Sequence, residues 1–246
     1  MNMTIDPHAP KLIEIPGGEF EMGDVWGDGE PDEQPVGTHA CGSFLLGEYA
    51  VTNSQFVSFL ANQNSTPPEH FVDLQNKNSH IYFDGGQFTC EPGFENHPAT
   101  YVNWLGASTY CAWLSGRMGL TIRLPSELQW QYAAMGPHKR KWSLGDSFTR
   151  SDYICGADGP ASVDFGAPSE WGLFNMTGNV FEWCNDEYCF SLTESSDNVL
   201  RHHRVIKGGA FILRDSANLR NAKRFSCHQE SCISSIGFRV AATLAS

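Results

Sequence analysis

Short apolar runs broken by glycine open the chain: Leu12-Ile13-Glu14-Ile15, then Pro16-Gly17-Gly18, then Glu19-Phe20-Glu21-Met22. This predicts two short strands around a turn, since glycine supplies the backbone conformations that tight turns need. Thr52 and Gln55 then stand ahead of Phe56, Phe59 and Leu60, the pattern of a capping box leading into an amphipathic helix. A second helix is predicted from about Trp104 to Met118, with Trp104, Ala107, Cys111 and Leu114 on its apolar face and Gly119 as its stop. Ser126 and Gln129 repeat the capping box and start a third, shorter element. Between the first two helices, residues 78–90 read as a hairpin turned at Asp84-Gly85-Gly86.

The remainder is less regular. Residues 25–39 are acidic and turn-rich, which predicts a surface loop. From Lys141 onward there is little helical periodicity, and Trp142, Trp171, Trp183 and Phe211 read as core anchors of an irregular β region, because large aromatics dominate burial in such folds. No repeat of about 20–50 residues is visible.

Composition narrows the function. At 246 residues with 41% hydrophobic side chains, the chain can bury one sizeable core; the expectation is an N-terminal extension over residues 1–11 and a single domain over 12–246. The net charge of −12 argues against a nucleic-acid partner, since that affinity comes from Lys and Arg neutralising phosphates. The N-terminus lacks a basic segment followed by an apolar one, and no window reaches membrane-spanning length, so the expectation is a cytoplasmic protein with no signal peptide and no membrane span. Eight cysteines in a chain of this size read chiefly as buried free thiols. No phosphate-binding loop and no serine nucleophile elbow is present.

Several phrases occur in order: IPGGEFEMGD (15–24), YAVTNSQFVSFL (49–60), HPATYVNWLGASTYCAWL (97–114), RLPSELQWQYAA (123–134), WGLFNMTGNVFEWCND (171–186), RVIKGGAF (204–211) and IGFRVA (236–241). Together they closely resemble the formylglycine-generating-enzyme, or sulfatase-modifying-factor, domain family. The resemblance implies an α+β, C-type-lectin-like fold, rich in loops and poor in regular secondary structure. It also implies a structural calcium ion on the NMTGNVFE segment, held by the Asn175 side chain, the carbonyls of Gly178 and Val180, and the Glu182 carboxylate, a donor mixture suited to a hard cation. The other reading of Glu182 is a carboxylate paired with an arginine in the core. Competent family members carry a Cys-His-x-x-x-Cys copper site starting three residues beyond a Gly-Gly-Ser, whereas here Gly208-Gly209-Ala210 leads into FILRDSANLR.

A branch of the fold not known for catalysis, the variable proteins of diversity-generating retroelements, resembles the C-terminal pattern more closely. There, adenine-directed mutagenesis of Asn codons yields Phe, Ile, Leu, Arg, Asp, Ser, Cys or His, but not Lys, Gln, Glu, Met or Trp. Within a variable segment spanning 211–235, Phe211, Ile212, Leu213, Arg214 and Asp215, then Phe225, Ser226, Cys227 and His228, then Ser231, Cys232, Ile233, Ser234 and Ser235 all fit that set. Lys223, Gln229 and Glu230 do not, while Leu219-Arg220, Arg224 and Ile236-Gly237-Phe238-Arg239 read as scaffold. The resemblance implies a non-enzymatic protein whose outward-facing C-terminal surface binds a protein or cell-surface ligand, and it leaves open display at a surface through a partner. The alternative is a metal-dependent oxidoreductase of the same family, with Cys227, Cys232 and His228 holding copper or iron. His202 and His203 are adjacent, so in an extended strand they point to opposite sides and read as surface histidines.

Overall fold

A computed structural model describes residues 9–63, 70–192 and 199–244. In chain order the elements are β1 (Leu12–Ile15), β2 (Gly18–Met22), β3 (Gly37–Cys41), β4 (Phe44–Gly47), α1 (Asn53–Ala61), β5 (Ile81–Asp84), β6 (Gln87–Cys90), α2 (Trp104–Met118), β7 (Ile122–Arg123), α3 (Glu127–Met135), β8 (Phe181–Cys189), β9 (Val199–Lys207), β10 (Phe225–His228), β11 (Ile236–Gly237) and β12 (Ala241–Thr243). Both predicted capping boxes form: Thr52 with Gln55 starts α1 and Ser126 with Gln129 starts α3. Gly119, with φ of 66°, ends α2 in the left-handed conformation that glycine adopts without steric penalty. The hairpin at Gly85-Gly86 also forms, as β5 against β6.

One sheet runs β1-β4-β12-β7 and a second runs β10-β9-β8-β11. The first holds both the opening and the closing strands, since β4 pairs with β1 on one side and β12 on the other. The two strands flanking Pro16-Gly17-Gly18 do not pair with each other: β1 joins β4, and β2 joins β3. The turn carries the chain from one sheet to another.

The second sheet explains the large aromatics. Successive strand residues face opposite sides, and here each side is a core: Trp183 and Ile206 join Phe56, Phe59, Tyr110 and Phe238 beneath α1 and α2. Cys184 and Val205 join Trp130, Phe44 and Leu46 beneath α3. Trp142, Trp183 and Phe211 are buried as expected, and Trp171 is partly buried. Among the described residues the cysteines are thiols outside any disulfide, and only Cys41, Cys111 and Cys184 are buried; Cys90, Cys155, Cys189, Cys227 and Cys232 are half-buried.

The acidic stretch lies at the surface as expected, with one exception: Glu33, like Asp24 just before the stretch, is buried. Arg220 donates to both Glu33 oxygens at 2.7 and 2.9 Å, and Lys223 lies 3.7 Å from the same carboxylate. Arg224 donates to Asp32 O at 2.6 Å while forking onto Glu127 at 2.6 and 3.0 Å. Buried carboxylates persist only when paired in this way. The scaffold arginines of the C-terminal segment therefore clamp the acidic loop against the second sheet.

Candidate ligand-binding surface

The patternless C-terminal stretch contains a strand. Phe225–His228 forms β10 on the edge of the second sheet, pairing antiparallel with β9 so that Phe225 faces Ile206 and His228 faces His203. The segment is thus anchored by backbone pairing, and its four side chains are half-buried. Phe225 meets Phe181 edge-on at 5.0 Å, and Cys227 packs against the core beneath α2.

The residues expected to face outward divide. Ile212 is 50% exposed and Ile233 37%, and Arg214 and Asp215 are exposed, whereas Phe211 and Ser235 are only 4% exposed. Phe211 and Ser235 belong to the interior and leave the proposed surface. Phe211 donates its N–H to Asn179 O and accepts from Ala157, and Ser235 O accepts from Phe181 at the start of β8. Leu213 is half-buried against two core clusters, and its carbonyl accepts from Gly156. Ser226, Cys227, His228, Ser231, Cys232 and Ser234 are half-buried. The Asp215 carboxylate accepts from Ala217 N at 3.0 Å and so shapes its own loop.

Beside the second stretch lies an open groove of about 650 Å³ lined by His70, Asn103, Trp104, Leu105, Arg204, Gln229 and Glu230. Arg204 stacks 4.0 Å over the Trp104 ring, and Gln229 Oε1 accepts from its Nε and Nη2, both at 3.4 Å. Sequence reasoning missed this groove. A signal existed: Leu105 is apolar yet lies off the stripe of Trp104, Ala107, Cys111 and Leu114, and it is 51% exposed.

The thiols do not make an activated centre. Burial raises the Cys227 thiol, and burial together with the Asp73 carboxylate pushes Cys232 up to about 11. Thiolate is the nucleophilic form, and in the absence of a metal both groups stay protonated at neutral pH. At the positions three and eight residues beyond Ala210, where competent relatives carry thiols, stand Leu213 and Asn218.

In the expected calcium set, the one charged donor is already engaged. The Glu182 carboxylate, fully buried, accepts from Arg239 Nε and Nη2, both at 2.6 Å, and from Trp130 Nε1 at 2.7 Å. A carboxylate already neutralised by a guanidinium has little charge left for a second cation. Asn175 donates its side-chain amide to Val163 O at 2.8 Å. Gly178, with φ of 84°, must be glycine because an added Cβ would stand 2.6 Å from Ile154 O. Turn geometry accounts for Gly178 and an ion pair for Glu182.

The histidines correct a further expectation. Between the pairs Glu187↔Arg204 and Cys189↔Val199 the register slips, β9 spending more residues than β8. His202 lies in this bulge with φ of 62°, a left-handed conformation costing a non-glycine residue roughly 1–2 kcal/mol. Alternation fails there. The His202 and His203 rings both approach His228, at centroid separations of 6.1 and 5.4 Å.

Comparison with known proteins gives the family context. The family described as "Sulfatase-modifying factor enzyme 1-like domain" matches residues 2–244. The serine/threonine-protein kinase Pkn1 of Chlamydia trachomatis serovar L2 is 36% identical over 246 residues, a match that covers 96% of this chain but 38% of the kinase. The chain therefore spans about two fifths of that relative's length. The formylglycine-generating enzyme of Streptomyces coelicolor is 30% identical over 282 residues, covering 93% of this chain and 88% of the enzyme. Among solved structures, PvdO from Pseudomonas aeruginosa superposes with a TM-score of 0.79 at 21% identity, covering 97% of this chain and 96% of that one. Variable protein 1 of Treponema denticola superposes with a TM-score of 0.72 at 21% identity, covering 95% of each chain. These structures share the expected α+β, loop-rich fold.

Proposed function

This chain belongs to the sulfatase-modifying factor enzyme 1-like domain family, and from that premise we propose that it is a non-enzymatic binding module of the family. In this reading the surface carrying Ile212, Arg214 and Asp215, with Ser226, His228, Ser231, Cys232, Ile233 and Ser234, engages a protein or cell-surface ligand. One observation carries the reading: Leu213 and Asn218 replace the thiol pair on which the family's copper chemistry depends, and Leu213 is packed against the core. Exposed apolar residues beside polar ones, borne on a rigid scaffold, support recognition. Among the described residues no helix is long and apolar enough to cross a membrane.

The reading extends to diversification. Ile212, Arg214, Asp215 and Ile233 combine exposure with residue types reachable from Asn codons. Sequencing the encoding locus tests this directly. A near-copy of the coding sequence for residues 211–235, differing only at adenines and lying beside a reverse-transcriptase gene, is the expected result. Its absence overturns diversification. The binding reading itself fails if the chain, loaded with copper, consumes oxygen with thiol or peptide substrates and loses that turnover on Cys227→Ser or Cys232→Ser.

A further inference from the structure

The groove beside β10 holds a cation whose bonding is incomplete. Arg204 lies flat over the Trp104 ring at 4.0 Å, and Trp104 is itself fixed by an Nε1–H bond to Cys184 O at 2.9 Å. Arg204 Nη1 donates to Asn185 O at 3.0 Å, while Nε and Nη2 share the single Gln229 Oε1 at 3.4 Å each. Each terminal nitrogen of a guanidinium carries a pair of N–H groups, so each keeps one without an acceptor among the described residues. The carboxylate paired with Arg204, that of Glu187, stands 4.0 Å away on an exposed side chain. Every acceptor within bonding distance is thus a neutral oxygen, and bonds from a guanidinium to a carboxylate are shorter and stronger than these.

Next to the cation the groove is apolar. Leu105, 51% exposed, and half-buried Trp104 line it together with Arg204. An isolated exposed leucine is ordinary on a protein surface, but a concavity that joins Trp, Arg and an aliphatic side chain is where binding energy concentrates. Its volume of about 650 Å³ falls within the range of ligand-binding clefts. Gln229 is held in place by its backbone, which donates to His202 O at 2.8 Å and accepts from Trp104 N–H at 3.0 Å. A site assembled before its ligand arrives loses less binding free energy to ordering. Glu230, the one carboxylate among the lining residues, is exposed and disfavours a ligand that is acidic throughout.

We propose that this groove receives an extended peptide segment of a partner protein, with a single Asp or Glu side chain on Arg204 and a neighbouring apolar side chain on Trp104 and Leu105. The carboxylate completes the bonding of the guanidinium, and the apolar side chain covers the exposed leucine. An open groove suits a chain that crosses it. The groove adjoins the surface carrying Ile212 and Ile233 but shares no residue with it, so the inference stands whether or not that surface is diversified.

The test pans the immobilised full chain against a phage-displayed pool of random nonapeptides and measures the enriched peptides by fluorescence anisotropy. Enriched sequences should share one acidic residue beside a large apolar one. Replacing that acidic residue by its amide should weaken binding about tenfold or more, and so should Arg204→Gln. Leu105→Asp should weaken binding about as much while leaving the urea midpoint unchanged, because the side chain is exposed. Ile212→Asp should keep the parent affinity. Circular dichroism shows whether Arg204→Gln retains the fold; if it does not, Leu105→Asp and the amide peptide decide. The proposal is overturned by no enrichment over an uncoated surface, by enriched peptides that lack an acidic residue, by equal affinity for the parent and both groove variants, or by affinity lost on Ile212→Asp and kept in the groove variants.

Discussion

Replacing Glu182 by glutamine isolates the ion pair at the centre of the fold. The substitution keeps the shape and removes the charge, leaving the Arg239 guanidinium fully buried with only neutral acceptors, the new amide oxygen and the carbonyls of Gly47, Glu48 and Phe174. Removing one partner of a buried pair strands the other, which costs about 3–5 kcal/mol. At roughly 2–4 °C per kcal/mol for a chain of this size, Tm should fall by roughly 6–20 °C. Urea unfolding followed by circular dichroism measures the free energy, and a thermal scan measures the midpoint. The same experiment addresses calcium. If Glu182 serves Arg239 alone, EDTA leaves the parent Tm unchanged and added calcium does not restore the variant. Two results would refute the reasoning: a Glu182→Gln loss below about 1 kcal/mol, or a parent Tm that drops in EDTA and recovers with calcium.

Arg220→Ala should cost about 3–5 kcal/mol by the same argument, because Glu33 is fully buried beneath it; limited proteolysis should then cut within residues 24–34, and an intact loop would show that the clamp is dispensable. Phe211→Ala should cost about 3–5 kcal/mol, whereas Ile212→Asp should stay within about 0.5 kcal/mol, the two being 4% and 50% exposed; comparable losses in urea would erase the distinction drawn between them. With Cys232 raised to about 11, its thiolate is about one part in a thousand at pH 8 against roughly one in four for an ordinary thiol. Alkylation followed by mass spectrometry should therefore be on the order of a hundredfold slower than for an exposed cysteine peptide and climb toward pH 11, and a plateau below pH 9 would contradict the burial argument.

Whatever was decided within a few residues was legible beforehand. The capping boxes at Thr52 and Ser126, the span of α2 and the Gly85-Gly86 hairpin are local bargains between side chain and backbone, and each stands where its residues place it. What the sequence concealed was decided at a distance. Glu33 reads as loop acid until Arg220, 187 residues away, is found against it. Glu182 reads as part of a calcium motif, and its pairing with Arg239, 57 residues on, is visible only in the fold. The His202–His203 pair reads as alternating because a register slip in β9 leaves no mark on composition.

The same contrast limits what a surface of variable residues can be on this scaffold. Codon reachability selects Phe211 and Ile212 alike, but packing separates them: one lies within the interior, the other at the solvent. A substitution at Phe211 or Ser235 is paid for in folding stability before any ligand is met, whereas Ile212, Arg214, Asp215 and Ile233 can change without disturbing the core. Between them run Arg220 and Arg224, whose side chains clamp the acidic loop and cannot be exchanged without stranding Glu33 or Glu127. Exposed and packed positions therefore interleave residue by residue through 211–235, and diversification of the kind proposed would be confined to the outward positions by the packing of their neighbours.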